Sequence, residues 1–176
     1  MGANFKIMGT TGDVTSCDCC NRRGLRRTVA LQPLDQDGAA DGEVTYYGTG
    51  CAATALGRSS YSVRRAARAA DLQAAMEARA ELRDRAAWAL PLLQRYRDLL
   101  ATRMTAGEDP ATVAESSAKR LGTAIWRYNP ARRARAEAEA RDAFTVGGLA
   151  AVLACYDRYA AEVTRVSRMD PAVFTY

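Results

Sequence analysis

The chain has 176 residues, of which 48% are apolar, and it carries a formal net charge of +5 with a pI near 9.1. It contains no histidine, which excludes Ser-His-Asp and Cys-His catalytic sets, His-Glu-x-x-His metalloproteases and histidine-ligated deaminases. We therefore expect a protein that is not an enzyme. Residues 1–57 carry five basic and six acidic side chains, whereas residues 58–176 carry twenty and fourteen, so the positive balance lies in the second part.

The first 57 residues predict a small β-hairpin module. Short runs that alternate apolar and polar positions, or that are rich in β-branched and aromatic residues, are typical of strands, and Gly and Pro mark the connections. The predicted elements are, in order, a strand at 5–9, a strand at 25–31, a turn-rich connection at 33–42, a strand at 44–47 and a short helix at 51–56 that Gly57 closes. These elements define the first predicted domain.

Four of the five cysteines flank this hairpin. Cys17 and Cys20 have the two-residue spacing with which one turn chelates zinc, and Cys51 opens the predicted helix, where the helix dipole favours a thiolate. Asn21 follows the second cysteine, at the position where the backbone of such a knuckle turns through positive φ. The pattern predicts one zinc ion bound by these three cysteines.

The fourth ligand of such an ion stays open on the sequence alone, although zinc prefers four ligands. Cys19 is a candidate, but ligation by Cys19 and the adjacent Cys20 at one ion would strain the turn. Asp18, a water molecule and the distant Cys155 are the others, and we expect Cys155 in a core because it lies within an apolar stripe. The alternative to a metal site is a hairpin whose thiols are simply buried.

The first part of the chain resembles the small treble-clef-type zinc modules of bacteriophage and actinobacterial proteins. The motifs that carry the resemblance are C-x-x-C-[G/N]-R at 17–22, then Leu and Thr-Val on a strand, and then Tyr-Gly-x-x-Cys-Ala at 47–52. The resemblance covers about residues 4–57. It implies a zinc knuckle, a β-hairpin and a helix, with Cys17, Cys20 and Cys51 as ligands and a bacteriophage or mobile-element origin, but no particular reaction. A treble clef normally takes another ligand from the first helical turn, where this chain has Thr54.

From residue 58 onward the chain is rich in Arg and Ala and predicts a helical second domain, residues 58–176. An apolar stripe at three- and four-residue steps between Leu72 and Leu100 predicts a long helix capped at Ser60, with a kink or break near Pro91. Further signals are helix starts at Asp109-Pro110 and Asn129-Pro130, a helix end at Gly122 and a cap at Thr145. The predicted fold class is α+β, mostly α, with an antiparallel helical bundle or coiled-coil-like hairpins after the metal module.

Arginine clusters carry the functional hypothesis, because arginines that neutralise phosphates release counterions and bind DNA or RNA. The knuckle arginines are Arg22, Arg23, Arg26 and Arg27, the 64–68 arginines are Arg64, Arg65 and Arg68, and the 132–135 arginines are Arg132, Arg133 and Arg135. Tyr46, Tyr47, Trp126 and Tyr128 would stack on bases if they are exposed. In the alternative interpretation the arginines solvate surfaces or pair with Asp71, Asp84, Glu137 and Glu139, and the aromatic residues belong to the core.

We therefore predict a non-enzymatic accessory or regulatory protein that contacts nucleic acid through a basic, zinc-stapled module. The alternative is a protein–protein adaptor or inhibitor that docks a partner through the helical stripe that includes Leu93, Tyr96 and Leu100. The longest apolar run, 147–155, is too short to span a bilayer, so no membrane partner is expected. Clustered thiols without a secretory pattern predict a cytoplasmic protein, and the oligomeric state stays open.

Overall fold

A computed structural model describes residues 4–127 and 129–173. Its elements are, in order, β1 (Asn4–Thr11), β2 (Thr28–Leu34), β3 (Thr45–Tyr47), α1 (Thr49–Ala55), α2 (Ser60–Thr105), α3 (Pro110–Trp126) and α4 (Pro130–Ser167). A small sheet followed by long helices confirms the α+β, mostly α fold class. Within the described ranges, no helix combines the length and apolar character that a membrane span requires.

The chain divides into two compact units, residues 1–77 and 78–176, which we call the sheet unit and the helical unit. The division therefore lies within α2, twenty residues beyond the boundary expected after residue 57. The first turns of α2 belong with the sheet because Val63 and Ala67 are buried against it. The change in sequence character near Ser60 marks the start of a helix rather than the end of a compact unit.

The three strands form an antiparallel sheet in the order β1-β2-β3. Thr11 at the end of β1 pairs with Thr28 at the start of β2, and Tyr47 at the end of β3 pairs with Val29. We call this the knuckle end of the sheet. The connection between β2 and β3, residues 35–44, leaves from the opposite end. This register decides which loops share an end of the sheet.

The core of the sheet unit is small and lies between the sheet and two helices. Val29 and Leu31 are two residues apart on β2 and therefore face the same side, where both are buried. The core residues are Val29, Leu31, Ala52, Ala53, Val63 and Ala67, from β2, α1 and α2. Because most helical members are alanines, the helices can lie close to the strand.

A polar contact joins α2 to β1. The carboxylate of Asp71 accepts hydrogen bonds from the Thr10 backbone N–H and from its hydroxyl, each at 2.7 Å. The strand register shifts between Ile7 and Gly9, and Gly9 has a φ of +135°. A Cβ at Gly9 would lie 2.3 Å from Asp71 Oδ1, so only glycine allows the carboxylate this close to the strand.

The helical unit has a single core to which α2, α3 and α4 all contribute. Its largest fully buried residue, Tyr156 of α4, donates its hydroxyl to the Ser117 carbonyl of α3 at 2.7 Å. The fully buried large apolar side chains are Leu93 and Leu100 from α2, Val113 and Leu121 from α3, and Val152 and Tyr156 from α4. Cys155 is part of this core, as predicted.

The sequence predicts a kink or a break near Pro91, and the break is absent because α2 runs through this residue as one helix. Pro91 is exposed, whereas Ala89 and Leu93 on either side of it are buried in the same core. The proline removes one backbone donor, but burial before and after it holds the helix together.

Asp109 and Asn129 begin α3 and α4 as predicted, because each side chain accepts a hydrogen bond from a backbone N–H in the first turn. The helix end predicted at Gly122 is wrong, since α3 continues to Trp126. Gly122 is buried where α3 meets α4, and a Cβ there would lie 2.6 Å from the Glu137 side chain. The glycine serves close helix packing and not helix termination.

The cap predicted at Thr145 is also wrong, because its hydroxyl donates to the Arg141 carbonyl inside the helix. The interruption of α4 comes slightly later, where Gly147 and Gly148 leave helical geometry and Gly148 adopts a φ of 63°. The predicted separation of two helical segments is therefore present, but glycines produce it.

Replacing Asp71 with Ala should loosen the sheet unit, because the Thr10 N–H loses its acceptor. An unpaired buried polar group costs about 1–3 kcal/mol, and this N–H is only partly buried. The cost should lie at the lower end of that range, so amide exchange in the β1–β2 ladder should accelerate by roughly fivefold or more. Hydrogen exchange read by mass spectrometry measures this. The exposed Asp84, which pairs with its neighbour Arg83, provides the control Asp84→Ala, and equal acceleration in both variants would contradict the assignment.

A fragment of residues 78–176 should fold without the sheet unit, because every member of its core lies within it. We expect its circular dichroism per residue to be strongly helical and its tryptophan emission to match that of the full chain. A fragment that begins at residue 58 adds the segment whose Val63 and Ala67 the sheet normally covers, and it should gain no thermal stability. Unfolding of the 78–176 fragment would contradict the division into units.

Candidate metal centre

The segment around Cys17 forms a tight turn held by its own backbone. The Cys17 N–H donates to the Arg22 carbonyl at 2.9 Å, and the Asn21 N–H donates to the Cys17 carbonyl at 2.8 Å. Asn21 has a φ of 56°, the left-handed conformation predicted for it. The turn thus has the backbone course of a metal-binding knuckle.

The knuckle is fixed to β3 and to the start of α1. The Asp18 N–H donates to the Tyr46 carbonyl at 2.9 Å, and Asp18 Oδ2 accepts the Tyr46 N–H at 2.6 Å. The Gly48 N–H donates to the Cys17 sulfur at 3.2 Å. Asp18 therefore acts as a clamp between two segments, and its carboxylate is not among the converging ligand atoms. On the sequence alone Asp18 is only a possible ligand, and no local pattern marks its pairing with Tyr46.

The sulfur atoms of Cys17, Cys20 and Cys51 lie within 4.8 Å of one another. Zinc binds thiolates at about 2.3 Å, which places the sulfurs of a tetrahedral site roughly 3.8 Å apart. Cys17 is buried, Cys51 is half-buried and Cys20 is exposed. This triad could hold a metal ion, since three sulfurs from two separate segments already converge at the spacing such an ion needs.

The thiols of Cys17 and Cys51 differ in their pKa values. Burial acts to raise the pKa of the Cys17 thiol, but hydrogen bonds from the backbone N–H groups of Gly48, Cys20 and Cys19 lower it to about 7. Hydrogen bonds with Cys20 and Cys17 raise the pKa of the Cys51 thiol to about 12. The site therefore contains one thiol whose deprotonation is favoured and one whose deprotonation is disfavoured.

The other two cysteines lie outside the triad. Cys19 is exposed, and its sulfur is not among the three that converge within 4.8 Å. A side-chain hydrogen bond from Cys19 nevertheless contributes to the raised pKa of the Cys51 thiol, so its assignment as a ligand stays a prediction. Cys155 belongs to the core of the helical unit, where burial raises the pKa of its thiol. Among the described residues, the triad is complete at three sulfur ligands.

The knuckle arginines and the 64–68 arginines are all exposed. Within the described parts of the chain, none of these seven side chains forms an ion pair with a carboxylate. Asp71, which the alternative interpretation paired with them, instead binds Thr10. The knuckle arginines follow Cys17 and Cys20 in the chain and precede β2, so they lie at the knuckle end of the sheet.

The 132–135 arginines have a different environment. Arg132 lies with its guanidinium 4.6 Å from the centre of the Trp126 ring, and Arg133 pairs with Glu137 at 3.4 Å. Elsewhere in the helical unit, Glu139 pairs with Arg158. The interpretation that arginines are balanced by acidic neighbours therefore describes this unit well.

Three of the four aromatic residues proposed for base stacking are half-buried. Tyr46 and Tyr47 are half-buried beside the knuckle, and Tyr47 packs against Phe5 with ring centroids 6.1 Å apart. Trp126 is half-buried in the helical unit, and Tyr128 lies outside the described residues.

Comparison of the chain with protein-family models, with curated proteins and with solved structures gave no match. The resemblance to treble-clef zinc modules therefore stays an expectation, and the site is inferred from its own geometry.

Replacing Cys51 with Ser should abolish tight metal binding, because only two sulfurs of the knuckle then remain. Equilibrium dialysis against Zn²⁺ or Co²⁺, followed by elemental analysis, measures the metal content. Cys155→Ser removes a thiol from the other unit and should leave one ion bound per chain, as should Cys19→Ser. Loss of the metal on Cys19→Ser would make Cys19 the fourth ligand, and retention on Cys51→Ser would contradict the triad.

Proposed function

We propose that the sheet unit is a zinc-stapled module that binds the phosphate backbone of nucleic acids. The observation that carries the proposal is the position of the knuckle arginines. Four exposed guanidinium groups, none paired with a carboxylate among the described residues, follow Cys17 and Cys20 at one end of a small sheet. Arginines in this state are available to phosphate oxygens, to which they donate in a bidentate manner.

The charge distribution within the sheet unit supports this assignment. Acidic side chains are concentrated on the connection between β2 and β3, at Asp35, Asp37, Asp41 and Glu43. Since β2 has seven residues, the two ends of the sheet lie roughly 20 Å apart. That separation exceeds the Debye length of about 8 Å at physiological salt, so the acidic loop does not cancel the field at the knuckle end.

Carboxylates at the knuckle end itself are fewer than the arginines. Asp13 caps a turn by accepting from the Thr11 hydroxyl, and Asp18 accepts the Tyr46 amide. They offset part of the charge of the four knuckle arginines, and the balance there is positive. The 64–68 arginines add three further exposed guanidinium groups within the same unit.

Zinc is the ion that best fits a small set of cysteine ligands in a structural role. Cys17, Cys20 and Cys51 would hold it, and the ion would supply a cross-link between the knuckle and α1. Structural zinc sites provide about 10–16 kcal/mol of apparent binding free energy, which is large for so small a core. The fourth position would fall to a water molecule or to Cys19.

The cross-link would also restrain the segment that carries the knuckle arginines, because backbone hydrogen bonds join this segment to the knuckle. The Arg22 carbonyl accepts the Cys17 N–H, and the Leu25 N–H donates to the Thr15 carbonyl at 2.9 Å. A segment held in this way loses little further freedom when it binds, so more of the phosphate attraction appears as affinity.

The adaptor hypothesis depends on an apolar stripe left uncovered on the long helix. Leu93 and Leu100 are fully buried in the core of the helical unit, and Tyr96 packs against it. The stripe is therefore occupied by α3 and α4, and we rank nucleic-acid binding first.

Changing Arg22, Arg23, Arg26 and Arg27 together to Gln should weaken binding to duplex DNA of unrelated sequences. The slope of log K against log salt should flatten by about 0.9 for each phosphate that the variant no longer neutralises. Fluorescence anisotropy with a labelled duplex at several salt concentrations measures both effects. The control replaces Arg132, Arg133, Arg135 and Arg165 with Gln, which removes the same charge from the helical unit.

The control variant should keep most of the affinity and most of the salt slope. Equal losses in the two variants would mean that only net charge matters, and the site assignment would fail. Absence of binding by the zinc-loaded wild type to DNA and RNA at low salt would refute the proposed function.

A further inference from the structure

The helical unit contains a crevice of about 590 Å³ between α2, α3 and α4. Binding sites for small molecules are typically 300–1,000 Å³ in volume and are mostly apolar with a few placed polar groups. The walls of this crevice are mainly apolar and include Trp88, Ile125, Trp126, Val163 and Val166. All of its lining residues belong to the helical unit, and the proposed function does not use them.

Trp88 is the unusual residue of these walls, because half of its surface is exposed although it faces a concave apolar site. An indole buries a large area when it is covered, and its N–H retains a polar handle. Leu82, six residues earlier on α2, is also exposed and lines the same crevice. These side chains offer apolar surface that a planar or aliphatic body would remove from water.

The charged residues of the crevice are predominantly basic. Arg85, Arg127 and Arg132 line it together with one carboxylate, Glu162. Arg85 also pairs with Glu81 at 3.0 Å on the exposed face of α2. The remaining polar character is therefore positive, which disfavours a cationic ligand and favours an anionic one.

Two of these arginines lie over the indoles. The Arg132 guanidinium is 4.6 Å from the centre of the Trp126 ring, and the Arg127 guanidinium is 5.9 Å from that of Trp88. Stacking engages the face of a guanidinium and leaves its in-plane N–H groups directed outward. In Arg132 these donors are placed beside an apolar wall, which is the arrangement that an amphipathic anion needs.

We propose that this crevice binds an amphipathic organic anion, with an aromatic or aliphatic body and one carboxylate or sulfonate group. The body covers Trp88 and the apolar walls, and the anionic group accepts hydrogen bonds from Arg132. Glu162 disfavours a ligand with two anionic groups, because its carboxylate would repel the second one. The proposal is independent of nucleic-acid binding, since it concerns only residues of the helical unit.

The chain itself provides the reporter for a test. It contains two tryptophans, and both line the crevice. We would titrate the full chain with 1-anilinonaphthalene-8-sulfonate and, separately, with the uncharged N-phenyl-1-naphthylamine, and follow tryptophan quenching. The expected result is saturable quenching with one sulfonate bound per chain and weaker binding of the uncharged compound.

Variants separate the two halves of the proposed site. Arg132→Gln should lower the affinity for the sulfonate by about tenfold, because one charge-assisted hydrogen bond is lost. The affinity for the uncharged compound should not change. Trp88→Leu should weaken both compounds, with Trp126 as the remaining reporter. Arg64→Gln, in the sheet unit, is the matched control and should change neither. Unaltered helical circular dichroism identifies variants that are folded.

Three outcomes would overturn the proposal. The first is the absence of saturable tryptophan quenching by the sulfonate in the folded wild type. The second is equal affinity for the charged and uncharged compounds, which would reduce the site to an apolar surface. The third is an equal loss of sulfonate affinity in Arg132→Gln and Arg64→Gln, which would make the attraction a property of net charge alone.

Discussion

The carboxylate of Asp71 ties the longest helix to an edge strand, and the packing of the sheet unit depends on that bond. By accepting both donors of Thr10, it satisfies a strand N–H that would otherwise lack a partner. It lies on the same helix as Val63 and Ala67, which are buried against the sheet. Because α2 continues into the helical unit and supplies Leu93 and Leu100 to its core, the same helix takes part in both hydrophobic cores.

Hydrogen bonds of the knuckle hold the three cysteines of the candidate metal site in position without an ion. The knuckle closes on itself through Cys17 and Asn21, and the Asp18 clamp holds it against β3. These hydrogen bonds bring together sulfurs from positions that are 31 residues apart in the Cys20–Cys51 pair. An ion that enters such a site meets ligands already gathered, so less chain entropy is lost on binding.

The local signals of the sequence predicted the local structure well. Knuckle spacing, Asn21 and the Asp-Pro and Asn-Pro starts each act within a few residues, and the structure confirms the positive φ and both helix starts.

The errors came from residues whose role depends on distant partners. Gly122 resembles a helix end, but its lack of a side chain serves close packing against Glu137. Pro91 resembles a break, but tertiary burial on both sides of it preserves the helix. The clamp by Asp18 and the crevice of the helical unit involve partners 28 or more residues away, which no local pattern encodes.

The charges at the two ends of β2 give the sheet an electric dipole moment that its nearly balanced charge count conceals. On a sheet with balanced charges and a dipole moment, an external field exerts a torque but little net force. On the proposed function, the torque from a polyanion would present the knuckle end before any short-range contact forms, which raises the fraction of productive collisions. The acidic loop would then govern the rate of encounter although it touches nothing, and added salt would shorten the distance at which this steering begins.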